Sequence, residues 1–315
     1  MKKKNIFGKL YLKYTNRVKY KEYKWEIANN KNLNFSARVN SSGRLNSLSK
    51  IKAITAHTTE LNLVHGGHAG DIIYTLPTIK RLWELTQTKI NLFLKTDRPA
   101  NLPNYATHPG GGIMLNSKMA SMLIPLIEQQ NYINSCEVYT GQPVDIDLDY
   151  FRAGLIPQDR GNIAHWCGYI LGVNPKLYES WITVKQDLAT SDYILINRSL
   201  RYQNTSISYK FLSQYQSLKF IGVKEEYEAM KVDLPEIEWL QVPDFLQLAE
   251  LIKGCKFFIG NQSFPFSLAE GLKVPRILEL PFDVINVIPE GENGFDFLFQ
   301  DHFESLVEQI VNGEY

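Results

Sequence analysis

From residue 51 to the C-terminus, apolar runs of strand length alternate with amphipathic stretches of helix length. One strand and one helix recur about every 30 residues, and that constrains the fold more than any other feature of the chain. Parallel strands joined by crossover helices satisfy the pattern, with helices on both faces of the sheet. IKAITAHTT (51–59) and ELNLVHGG (60–67) read as strands, and DIIYTLPTIKRLWELTQ (71–87) as a helix. KINLFLKT, SCEVYTG and PVDIDLDYFR read as further extended segments, with helices over SKMASMLIPLIEQQ and NIAHWCGYILGV, the latter closed by Gly172. A second alternation opens at DYILINRS (192–199) and ends with a helix over HFESLVEQIVN. The polar stretch ESWITVKQDLATSD (179–192) reads as the linker between the two sets. The expectation is α/β: two Rossmann-like domains with parallel sheets, residues 51–185 and 186–315, facing an interdomain cleft. A ligand belongs at the carboxyl ends of the strands.

Residues 1–50 stand apart as a basic appendage. Residues 1–24 hold nine Lys or Arg and one Glu, a charge of +8, while the other 291 residues hold 25 basic and 32 acidic side chains, a charge of −7. A mildly acidic body does not wrap nucleic acid. The head mixes lysine with Tyr11, Tyr14, Tyr20, Tyr23 and Trp25. It reads either as a segment that seeks anionic lipid or a partner, or as a solvated tail with a short hairpin packed on the body. The chain starts lysine-rich, but Lys9 and Lys13 interrupt the apolar residues beyond that start, so no signal-peptide core forms and a cytoplasmic protein is expected. Three separated cysteines, with no C-x-x-C, indicate neither a zinc cluster nor a disulfide framework.

Four loops carry candidate chemistry. HGGHAGDIIYTLP (65–77) joins a strand to a helix. Gly67 and Gly70 allow tight turns and close approach of a ligand, and His68 lies between them. Asp71 stands near the helix N-terminus, as a general base or as a partner of the helix dipole. The spacing is neither the dinucleotide fingerprint nor a P-loop. NRSLRYQN (197–204) puts Arg198 and Arg201 after a strand, suited to phosphate or to surface ion pairs. FIGVKEEYEAMK places Gly222 and Lys224 at another strand end. In FFIGNQSFPFSLAEGLKVPRILE (257–279), Asn261 or Ser263 caps a helix whose first-turn amides form an anion site, with Gln262 between them. Glu270 lies near the end of that helix, within reach of a sugar hydroxyl or simply solvated. Asp145, Asp147 and Asp149 alternate in DIDLD. They read as the wet face of an amphipathic strand rather than a metal site.

GDIIYTLPTIKRL resembles the N-terminal motif of family 9 glycosyltransferases, the heptosyltransferase-like group. FFIGNQSFPFSLAEGLKVP resembles their donor motif, and SMLIPLIEQQNYI their "PLL…QPYI" segment. The resemblance spans about 60–290. It implies the GT-B architecture, with the acceptor in the first domain and a nucleotide-sugar donor in the second. It implies inverting, metal-independent hexosyl or heptosyl transfer to a glycan or lipid-linked acceptor in polysaccharide biosynthesis, with no cofactor beyond the nucleotide-sugar co-substrate. Asp71 matches the proposed base, and Arg198 or Arg201 the basic residue that steadies the donor phosphates. Aligned on Gly260 and Pro275, the donor motif departs from the family: its Asp falls on Gln262, its Ser/Thr on Ser263, its Gly on Phe264 and its His on Ser267. The alternative is a catalytically idle or non-transferase protein, an epimerase or hydrolase, that binds a nucleotide-sugar on the same fold. The setting implied is cytoplasmic, with peripheral contact at the inner face of the membrane through residues 1–24.

Overall fold

A computed structural model describes residues 3–41, 47–100, 111–154, 156–158 and 161–314. The chain divides into two units, Met1–Asn46 and Ser47–Tyr315.

In the first unit, helix α1 (Ile6–Thr15) packs on helix α2 (Arg17–Ser41), and the Lys4 N–H donates to the Tyr23 hydroxyl at 2.8 Å. The short hairpin considered for this segment is absent among the described residues. Instead the Asn5 and Asn16 side chains each accept the amide three residues on, capping the two helices.

The second unit opens on α3 (Leu48–Thr55). Residues 51–55, expected as strand, are therefore helical. The Ser47 side chain caps the helix, and Ile51 is the residue it buries. The chain then passes through β1 (Glu60–His65), α4 (Ala69–Thr86), β2 (Lys89–Leu94), α5 (Ser117–Glu128), β3 (Ser135–Val138) and β4 (Ile146–Asp147). These strands form a parallel sheet in the order β3-β2-β1-β4. The DIDLD run gives only a two-residue strand. The Asp147 carboxylate accepts the Asp149 N–H at 2.9 Å, turning the chain into a 3-10 helix over Leu148–Arg152. Asp149 is thereby buried rather than set on a wet strand face.

After α6 (Trp166–Leu171), closed by Gly172 in the left-handed region, the connection runs without regular structure to β5 (Ile194–Asn197), save a 3-10 turn at Leu188–Thr190. It is no loose linker. The Trp181 and Ile182 amides both donate to the Gly271 carbonyl, Tyr132 donates to the Trp181 carbonyl at 2.6 Å, and Trp181 is buried. The remaining elements are β6 (Leu218–Ile221), α7 (Lys224–Met230), β7 (Glu238–Leu240), α8 (Phe245–Gly254), β8 (Phe257–Asn261), α9 (Phe264–Leu272), β9 (Arg276–Glu279), β10 (Gly294–Phe297) and α10 (Gln300–Asn312). Strand β10 is too short and too mixed to stand out in the sequence, and pairing with β9 defines it.

The second sheet is also parallel, ordered β10-β9-β8-β5-β6-β7. Counted from β5 this is 3-2-1-4-5-6, the doubly wound order, and the first sheet repeats its leading part. Strands β5 and β8 are buried throughout, as a sheet covered on both faces requires. Each sheet reverses direction once, between β1 and β4 and between β5 and β8. Loops diverge at those points and leave room for a ligand.

Candidate functional site

The carboxyl ends of both sheets open on one cleft of about 600 Å³, within the range of small-molecule sites. The α4 N-terminus and Arg152 line it on one side. Loops after β5, β6 and β8 line it on the other. Helix α4 packs on α9, and a Cβ on Gly70 would stand 3.9 Å from the Phe264 Cα. The two sheets' ligand ends thus meet at the site itself.

On the first side, Asp71 occupies the third position of α4. Its Oδ2 accepts the His68 N–H at 3.1 Å and forms an ion pair with Arg152. Burial works to raise the Asp71 pKa. The Arg152 guanidinium, helped by the nearby His68 and His65 rings, outweighs it, and the net direction is downward. Asp71 is therefore a carboxylate at neutral pH. Arg152 also approaches the buried Asp149 at 3.6 Å, and Arg98 stands 2.9 Å from the same carboxylate.

His65, fully buried, accepts the Gly67 N–H on Nδ1 at 2.9 Å, so that nitrogen carries no proton. Burial lowers its pKa in agreement. His68 caps α4 through its backbone and places its ring Nδ1 3.0 Å from the Met114 carbonyl. A Cβ on Gly67 would lie 2.6 Å from the His65 ring, 2.7 Å from Arg152 and 2.8 Å from Asp71. Only glycine fits beneath the ion pair.

On the second side, the expected residues separate. Arg201, Gly222, Gln262 and Ser263 line the cleft. Arg198 does not. Its guanidinium is spent on Glu279, at 2.7 and 2.9 Å, and on the Asn204 and Ile207 carbonyls, against the Tyr209 ring. Asn261 is buried, and its amide ties β8 to the loop after β5 through both the N–H and the carbonyl of Ser199. Lys224 is exposed at the start of α7, outside the lining. Glu270 is buried between Lys273 and Arg276, away from any sugar or solvent.

The anion site expected at α9 is also poorer than its position promised. The Ser263 N–H donates to the Asn261 carbonyl at 2.6 Å, and Pro265 has no N–H. The Phe266 N–H points to the capping Ser263 hydroxyl, at 3.5 Å. Among these first residues, the Phe264 N–H is the one left to face a ligand. Gln262 uses both ends of its amide. It donates to the Val284 carbonyl at 2.6 Å and accepts from the Asn286 and Val287 amides at 3.1 and 2.9 Å, fixing the loop beside the cleft. A carboxylate could not make the donor half of that clamp. Ser267 is buried and donates to the Phe264 carbonyl.

Trp239 and Phe245, which sequence reasoning passed over, complete this wall together with Gly222 and Glu226. Trp239 stacks on Tyr227 and donates to the Gly222 carbonyl at 3.1 Å, and Phe245 packs on Phe264 with ring centres 4.3 Å apart. Gly222 has φ +146, where a side chain would strain the backbone and meet Asn197 and Glu226. Glu226 lines the cleft, and burial raises its pKa. Its signal in the sequence was its place in KEEYEAMK, one turn after a strand end. Among the described residues, no three His, Cys, Asp or Glu side chains are gathered as a metal ion would require. Asp145, Asp147 and Asp149 are engaged separately, with the Asn62 amide, Lys95 and the arginines.

No family model matches this chain, and no curated protein matches it by sequence. Solved structures do. The chain is similar to E. coli heptosyltransferase WaaC with ADP-2-deoxy-2-fluoro heptose, at TM-score 0.54 and 10% identity over 79% of this chain and 99% of that one. It is similar to WaaC with ADP, at 0.55 and 11% over 80% and 99%. E. coli ADP-heptose lps heptosyltransferase II matches at 0.52 and 11% over 81% and 99%. The likeness shows the fold: two Rossmann-like sheets facing a cleft, the GT-B arrangement of the heptosyltransferases.

Proposed function

We propose that this chain is a glycosyltransferase that moves a sugar from a nucleotide-sugar to a hydroxyl acceptor. The observation that carries the reading is the placement of an ionised carboxylate, Asp71, at the start of α4 in the same cleft as the strand-end loops of a doubly wound sheet. The nucleotide-sugar ligands named for the E. coli neighbours support a donor of that class.

The nucleoside lies along the second sheet. Trp239 and Phe245 offer apolar faces to a base, Gly222 permits close backbone approach, and Glu226 accepts from ribose hydroxyls. The diphosphate meets Arg201 and the Phe264 N–H at the start of α9. The acceptor lies toward α4. Asp71 Oδ2 is held by His68 and Arg152, which leaves Oδ1 to take the acceptor proton as the hydroxyl attacks the anomeric carbon. Attack opposite the departing diphosphate inverts that carbon. Base catalysis of this kind contributes typically ~10²–10⁴-fold. Negative charge growing on the leaving diphosphate is met by Arg201 and the helix amide, with no metal step. Glycan or lipid-linked acceptors and cytoplasmic polysaccharide synthesis are the setting this reading implies.

A second reading has its own observation. Gln262 is committed to the 284–287 loop, Ser267 to backbone, and the first turn of α9 offers little beyond the Phe264 amide. A protein that binds a nucleotide-sugar without transferring it fits that thinner phosphate grip.

A thermal-shift panel over UDP, ADP, GDP and CMP tests both. One nucleotide at about 100-fold above its Kd stabilises by about 2.7 kcal/mol, a shift of several degrees. The shift shrinks in Arg201→Gln. No shift with any of the four overturns both readings. A shift without turnover of any nucleotide-sugar favours the second.

A further inference from the structure

The Met1–Asn46 unit presents a face its own packing leaves unused. On a helical wheel of about 100° per residue, Gly8 and Leu12 share one side of α1 and are its shielded positions. Ile6, Phe7, Leu10, Tyr11 and Tyr14 fill the opposite arc, about 140° wide. They are 71, 82, 44, 70 and 79% exposed. Lys9 and Lys13 border one edge of the arc, and Lys3 and Lys4 precede it, all exposed. Helix α2 repeats the plan. Tyr20, Tyr23, Ile27 and Asn30 are its shielded positions among the described side chains, while Val18 and Trp25 are each 67% exposed beside Arg17, Lys21 and Lys24.

Large apolar side chains are less favourable in water than under cover, in proportion to the area left wet, so this arc gains by being covered. Three occupants compete. A second copy would bring another +8 segment against this one, and like charges repel. A nucleic acid would engage the lysines and the aromatic rings, but Ile6, Leu10 and Val18 have no base to stack on. An anionic bilayer uses every part. Aliphatic side chains enter the acyl boundary, Tyr and Trp sit at headgroup depth, and lysine stems run along the apolar surface with ammonium groups on lipid phosphates.

We propose that α1 and the first turns of α2 form a docking surface for an anionic lipid bilayer, with α1 lying in the headgroup plane and its apolar arc inward. The inference is independent of the function proposed for the cleft. No helix among the described residues is long and apolar enough to cross a membrane, so the contact is interfacial.

The test is co-sedimentation of the full chain with phosphatidylcholine vesicles, with and without about one third phosphatidylglycerol. The protein pellets with the anionic vesicles at about 0.1 M salt, stays behind with neutral ones, and is released near 1 M as charges are screened. F7S/Y11S loses the binding. K9Q/K13Q weakens it by roughly 25-fold, about fivefold for each lysine near the surface. Vesicles shift the Trp25 emission to shorter wavelength, a change missing from Trp25→Phe. These positions are exposed, so the far-ultraviolet dichroism of each variant stays that of the parent. Equal sedimentation with neutral vesicles, or unchanged binding by both double variants, overturns the proposal. So does a dimer dissolved by F7S/Y11S, or retention on single-stranded RNA, when no vesicle is bound.

Discussion

Arg152 and Asp71, 81 residues apart in the chain, form an ion pair at the edge of the cleft, and that pair holds Asp71 ionised against its burial. Arg152 comes from a 3-10 turn after β4, Asp71 from the first turn of α4, so the pair forms only when β4 lies beside β1.

Replacing Arg152 by Met removes the charge and leaves the burial. The Asp71 pKa, lowered in the intact protein, then rises. The acidic limb of a pH–turnover profile moves to higher pH, because a larger share of Asp71 is protonated at each mildly acidic pH. A folded pKa below the unfolded one adds stability above the ordinary carboxylate range, lost as pH falls through the lowered value. The variant loses that contribution, and chemical denaturation at neutral pH shows it less stable by roughly 1–3 kcal/mol. An unmoved acidic limb contradicts the assignment.

Gly67→Ala tests the geometry without touching a charge. The added methyl lands within 3 Å of His65, Arg152 and Asp71 at once. Overpacking costs about 1–3 kcal/mol, and turnover falls further than the stability loss accounts for, since the pair is pushed apart. Nucleotide affinity, which the proposed function assigns to the other wall, holds. Parent-like turnover in Gly67→Ala means that the ion pair does not set the chemistry.

Arg198 gives a contrasting expectation. Its guanidinium, Glu279 and the Tyr209 hydroxyl form a buried network in which Glu279 is fully enclosed. Arg198→Met leaves that carboxylate without its counter-ion, held only by the Tyr209 hydroxyl and the Asn204 N–H, and destabilises the fold by about 3–5 kcal/mol in denaturant titration. Nucleotide affinity measured well below the melting transition stays within about twofold. A selective loss of affinity with intact stability would return Arg198 to the donor site.

The β/α alternation, the parallel sheets and Asp71 at a helix start were legible because each depends on local period and spacing. Sheet order was not. Strand β10 reads as loop until Gly294–Phe297 finds β9, and residues 51–55 read as strand until Ser47 caps them as helix. In the site, residue type misled where the partner lay far along the chain. Arg198 reads as a phosphate ligand or a surface ion-pair partner because Glu279, which claims it in the interior, enters only through the pairing of β9 with β8. Glu270 looked solvated because Arg276 lies on the next strand. Arg152 was hidden for a related reason: the alternation of DIDLD suggests a strand, and the turn made by Asp147 changes which side chains face inward.

Asp71→Asn separates donor binding from chemistry, with donor affinity by calorimetry and turnover measured on the same preparation once the accepted nucleotide is known. The substitution keeps the shape and removes the base. The expected result is a donor Kd within about twofold of the parent and turnover lower by about 10²-fold or more. Parent-level turnover, or loss of donor binding along with it, would contradict the division of the cleft into a donor wall and a catalytic carboxylate.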